Sequence, residues 1–132
     1  MRKVVLQVLL LPIILAACSP GTPDCADAAT LDLLDQAIFE DVEKYTEASS
    51  RANTDEFRAI AETYSISNIR TLNYDDRIDS YRCDARITYE FRGREWSVDF
   101  GYRIDTEQGS GEAMIEYQNK MLSPIAGFAL GF

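Results

Sequence analysis

Between Tyr81 and Ile104 the chain alternates apolar and polar residues with a single interruption. Tyr81, Cys83, Ala85, Ile87, Tyr89 and Phe91 are separated by Arg82, Asp84, Arg86, Thr88 and Glu90. After Arg92-Gly93, the residues Trp96, Val98, Phe100, Tyr102 and Ile104 alternate with Ser97, Asp99, Gly101 and Arg103. A period of two is that of a strand with one buried face. Arg92-Gly93 then reads as a tight hairpin turn. A hairpin closed there sets Tyr89 opposite Trp96, Ile87 opposite Val98, Ala85 opposite Phe100 and Cys83 opposite Tyr102. Every apolar residue meets an apolar one, and Arg86 meets Asp99 on the other face. A slip of one residue would destroy this match, so the register is strongly specified.

The remaining strands are weaker. Ile66 to Tyr74 reads as a strand irregular enough to hold a bulge, followed by a turn at Asn73-Tyr74-Asp75-Asp76-Arg77. Asp105 to Gly111 reads as a loop. Glu112 to Gln118 reads as a last strand, with Ala113, Ile115 and Tyr117 on one side.

A sheet with one apolar face needs a cover. Leu31, Leu34, Ile38, Val42 and Tyr45 form a stripe at helical spacing and predict a helix over 27–45, capped by Asp24 or Asp27. Leu33 and Phe39 lie off that stripe and predict a wide buried face or a second neighbour. Thr46 to Ala52 is polar and is expected to break the helix. A second helix over 53–64 carries Phe57, Ile60, Ala61 and Tyr64, with Asn53 and Glu56 in capping-box spacing. The expected fold class is α+β: two N-terminal helices on one face of a roughly four-stranded antiparallel meander. That element order is similar to the cystatin-like arrangement, a helix held in the curve of a sheet.

The first residues belong to something else. Arg2 and Lys3 precede an apolar run from Val4 to Leu15, broken only by Gln7 and by Pro12. A basic start and a short apolar run are the layout of a secretory signal, too short for a comfortable membrane span. Leu15-Ala16-Ala17-Cys18 resembles the lipobox of bacterial lipoproteins. The resemblance implies cleavage of residues 1–17 as a signal peptide and acylation of Cys18, with palmitate-like chains anchoring the protein to a membrane. It places the protein in the bacterial cell envelope, and Ser19, where an Asp would retain it in the inner membrane, favours the outer membrane facing the periplasm. Residues 18–24 read as the lipidated terminus and its tether, with Pro20, Gly21 and Pro23, and residues 25–132 as a single domain.

Export sets the redox state. Cys25 and Cys83 lie beyond the signal, and a pair in a small exported domain reads as a disulfide. It would staple the helix start to the middle of the sheet. The loop it closes is worth about 4 kcal/mol in the chain-entropy model.

Composition limits function. Removing Arg2 and Lys3 from the 13 basic side chains leaves 11 against 22 acidic, a formal charge of −11. Such a chain repels phosphate, so nucleic acid is an unsuitable partner. A basic protein partner suits it, since opposite charge speeds encounter. The chain has no His, and no catalytic set, phosphate loop or nucleotide fingerprint is evident. Asp75, Asp76 and Asp79 are the densest acidic cluster, but they lack calcium-loop spacing and read as a solvated turn. No metal or cofactor is implied.

Two further features bear on binding. Arg82, Arg86, Arg92, Arg94 and Arg103 are expected on the outward face of the hairpin, a candidate partner surface. The tail, Met121 to Phe132, is apolar and could pack on the sheet or extend it. The expected function is therefore non-catalytic protein binding by a membrane-anchored lipoprotein, as an inhibitor or immunity-type protein or as an accessory subunit of an envelope complex. A small-ligand carrier with a cavity between helix and sheet is the alternative.

Overall fold

In the computed structural model, which describes residues 21–48 and 54–117, the central hairpin has the register expected of it. Its strands are β2 (Ser80–Phe91) and β3 (Arg94–Thr106). Tyr89 faces Trp96, Ile87 faces Val98, Ala85 faces Phe100 and Cys83 faces Tyr102. Arg92 and Gly93 both have positive φ, 56° and 67°. That combination makes the mirror-image turn whose twist matches the strands. Gly93 adopts it without steric cost.

Strand β1 (Ser65–Asp75) pairs with β2, and β4 (Ala113–Tyr117) pairs with the end of β3, giving one antiparallel sheet in the order β1-β2-β3-β4. The irregularity expected in β1 is present: the register shifts between Ser67 and Arg70 and again between Thr71 and Asn73. The turn after β1 comes later than predicted. Asn73 and Tyr74 stay in the ladder opposite Arg82 and Tyr81. The Tyr74 and Tyr81 rings, 4.5 Å apart between centroids, reinforce that pairing. The chain turns over 76–79 instead, with Asp79 at φ 49°.

Helices α1 (Ala28–Ala48) and α2 (Thr54–Thr63) cover one face of the sheet. In α1 the predicted stripe is the buried face: Leu34, Ile38 and Val42 are buried, and Leu31 and Tyr45 pack partly buried against them. The helix begins where the acidic caps were expected. The Asp27 carbonyl accepts the Leu31 N–H at 3.0 Å. Asp24 Oδ1 accepts the Ala26 N–H at 2.8 Å. The helix does not stop after Tyr45 but runs to Ala48, and within it the Thr46 hydroxyl donates to the Val42 carbonyl at 2.7 Å. Phe39 stays about half exposed, in an edge-to-face contact with the Tyr64 ring. The predicted cap at Asn53 lies outside the described residues, as does the tail 121–132.

Leu34, Ile38, Phe57, Ile60, Ile87, Tyr89 and Ile104 fill the space between helices and sheet and are essentially inaccessible to water. Each such side chain contributes roughly 1.5–3 kcal/mol of burial. Cys25 and Cys83 form the expected disulfide, with Cα atoms 5.8 Å apart. It ties the entry of α1 to the middle of the sheet.

Candidate functional site

The helices leave the other face of the sheet open, and period two sends the polar residues of β2 and β3 there. Those residues pair across strands. Arg86 Nε and Nη2 donate to the two Asp99 oxygens at 2.7 and 3.1 Å. Arg70 Nη2 reaches Asp84 at 2.9 Å. Arg103 Nη2 lies 2.6 Å from Asp105 and 3.6 Å from Glu116. Thr88 and Ser97 share a hydrogen bond of 2.9 Å. Exposed pairs of this kind each contribute about 0–1 kcal/mol. Their larger effect is on the character of the surface, which is charged and mixed in sign.

Of the predicted partner surface, Arg82, Arg86 and Arg103 stand on this open face. Arg86 and Arg103 are charge-compensated by the pairs above. Arg82 is exposed and makes no ion pair among the described residues. Arg92 and Arg94 are a correction. Arg94 is the cross-strand partner of Phe91, so it follows the helix-covered side, with its guanidinium over the Trp96 ring at 5.6 Å. Arg92 sits in the turn and reaches Glu56 of α2 at 3.1 Å.

Three residues that sequence reasoning did not select complete the face. Leu72 and Met114 are 57% and 54% exposed. Gly101 interrupts the row of outward side chains opposite Asp84. Beside it lies a hollow of about 570 Å³ bordered by Asn68, Arg70, Asp84, Arg86 and Asp99. A second, of about 520 Å³, is bordered by Leu72, Arg82, Arg103 and Glu116. The lone outward glycine in an otherwise regular alternation was the legible signal. Leu72 was not legible, because the register shifts of β1 decide which way it faces.

The acidic cluster is engaged in structure. Asp79 Oδ2 accepts the Thr22 N–H and Oδ1 the Tyr74 hydroxyl, both at 2.8 Å. The Thr22 N–H first, and Tyr74 second, hold the Asp79 carboxyl below its ordinary value. Asp75 Oδ1 accepts the Arg77 N–H at 3.0 Å. Among the described residues no three His, Cys, Asp or Glu side chains are grouped to hold a metal ion.

Taken together, the open face offers two exposed apolar side chains, a guanidinium without an ion pair among the described residues and shallow hollows rimmed by paired charges. Cys18 and the segment before it lie outside the described residues. Comparison with known proteins finds no matching family model, no matching curated protein and no matching solved structure.

Proposed function

We propose that this chain is a lipid-anchored protein of the bacterial envelope that acts by binding another protein, without catalysis, through the open face of its sheet. The observation that carries the reading is that Leu72, beside Arg82 and Arg103, and Met114, the cross-strand partner of Asp105, are each more than half exposed on a sheet face that the helices leave uncovered. Large apolar side chains flanked by polar pairs suit a protein interface better than bulk solvent. The interior between helices and sheet is filled by side chains, which favours a binder over a small-ligand carrier. The formal charge of −11 beyond the signal suits a basic partner, as an inhibitor or immunity-type protein or an accessory subunit would meet in the envelope.

The test is photo-cross-linking in cells from the full chain, with the cross-linker placed in turn at Leu72, Met114 and Glu43. Glu43 is an exposed position on α1. A discrete adduct from Leu72 and Met114, absent from Glu43 and weakened by Arg82→Glu, is the expected result. Adducts from Glu43 alone would move the interface to the helices. No adduct from any position would remove the binding reading.

A further inference from the structure

We propose that the strap before α1 fixes how the domain stands on the membrane, with the β1–β2 turn and the β3–β4 loop against a zwitterionic lipid surface and Ile78 as the apolar contact. This rests on the lipid anchor at Cys18 proposed above. Thr22 is only 7% exposed. Its N–H donates to Asp79 at 2.8 Å, and its hydroxyl shares a 2.5 Å hydrogen bond with the Thr106 hydroxyl. Three residues later Cys25 is bonded to Cys83, and its carbonyl accepts the Tyr102 hydroxyl at 2.7 Å. The strap is thus pinned at its start to the end of the sheet where β2 begins and β3 finishes, and three residues on to the Cys83–Tyr102 pair a little further in.

Covalent reach then decides the orientation. Four Cα steps separate Cys18 from Thr22, at most about 15 Å of chain. Strand β2, with 12 residues, spans about 40 Å. A lipid on Cys18 can lie beside the end where Thr22 is held and cannot reach the Arg92-Gly93 end. The near end consists of the turn 76–79 and the loop 107–112, which border a common hollow. Ile78, in that turn, is 59% exposed, the highest exposure among the large apolar side chains described. Asp76, Asp79 and Glu107 outnumber Arg77 around it and repel anionic head groups on balance, so the suitable surface is a zwitterionic leaflet. In this pose the strands rise from the membrane, and the open face is reached from the side.

The single tryptophan, Trp96, lies near the far turn and serves as a probe. The full chain would be purified from membranes, its acylation read by intact mass, and placed in phosphatidylcholine vesicles with or without brominated acyl chains. Trp96 is expected to keep its fluorescence in both. The Ile78→Trp, Trp96→Phe variant is expected to lose most of its fluorescence in the brominated vesicles, and Gln108→Trp in the same background gives an independent probe from the neighbouring loop. Releasing the strap with Thr22→Val and Asp79→Gly should shrink the contrast between the two ends. An acylated, vesicle-bound protein with both ends quenched alike, or neither of the near-end probes quenched, overturns the orientation and leaves the anchor standing. A chain without acyl mass that fails to float with vesicles overturns the anchor, and this inference with it.

Discussion

The Tyr102 hydroxyl donates to the carbonyl oxygen of Cys25 at 2.7 Å. Tyr102 is also the cross-strand partner of Cys83, to which Cys25 is joined by the disulfide. Cys25 is therefore tied to both members of one sheet pair, once covalently and once by a buried hydrogen bond. Replacing Cys25 and Cys83 by Ser should lower stability by about 4 kcal/mol through the freed loop of the unfolded chain. Tyr102→Phe should cost about 1 kcal/mol. Because the two devices hold the same residue, their effects should not add. Urea unfolding of the two variants and their combination measures this. Full additivity would mean that the disulfide does not position the carbonyl that Tyr102 uses.

Tyr89 is 1% exposed, and its hydroxyl has no hydrogen-bond partner among the described residues. Burial pushes its ionisation far above the ordinary tyrosine range. A buried hydroxyl without a partner has lost its water and gained nothing in return. Tyr89→Phe removes that cost while keeping the ring that faces Trp96. We expect a gain of about 1 kcal/mol, read as a higher urea midpoint with an unchanged slope. A loss of similar size would show that an ordered water satisfies the hydroxyl.

Alkaline pH should unfold the domain over a defined window. Burial first, and then the hydrogen bond to Asp35, push Tyr64 up to about 12 from its ordinary 10.0. Burial first, and then the charges of Asp24 and Asp84, push Tyr102 up to about 12. A tyrosine with a raised folded value gives up its proton more easily when unfolded. Its contribution is complete below the ordinary value and is lost as pH rises through the folded one. Stability should thus fall between pH 10 and about 12, with phenolate absorbance rising together with unfolding. Tyr102→Phe should flatten that fall. Asp79 acts in the opposite sense: its lowered value makes the bond to Thr22 complete above the ordinary carboxylate range and weaker as pH falls below it. Phenolate absorbance that rises at the ordinary value, before any unfolding, would contradict the burial of these rings.

The features written locally in the sequence were legible because their physics is local. Alternation with period two and one Arg-Gly turn leave a single register that buries Ile87, Tyr89, Phe100 and Tyr102 together, and that register is the one observed. The stripe through Leu34, Ile38 and Val42 needs only helical spacing, and Cys25 and Cys83, the two cysteines within residues 25–132, are close enough in the fold to bond. The open face was legible only in part. Arg86 opposite Asp99 follows from register, and so does the side of Arg94, the partner of Phe91; the side of Arg92 follows from the backbone of the turn and from where Glu56 lies. Leu72 lies at the second register shift of β1; the irregularity of β1 was legible, but the residue at which the shift falls was not. The pinned strap is wholly a tertiary fact. Thr22, Asp79 and Thr106 are brought together from three distant segments, and hydrogen bonds between such segments leave no period in the chain by which to foresee them.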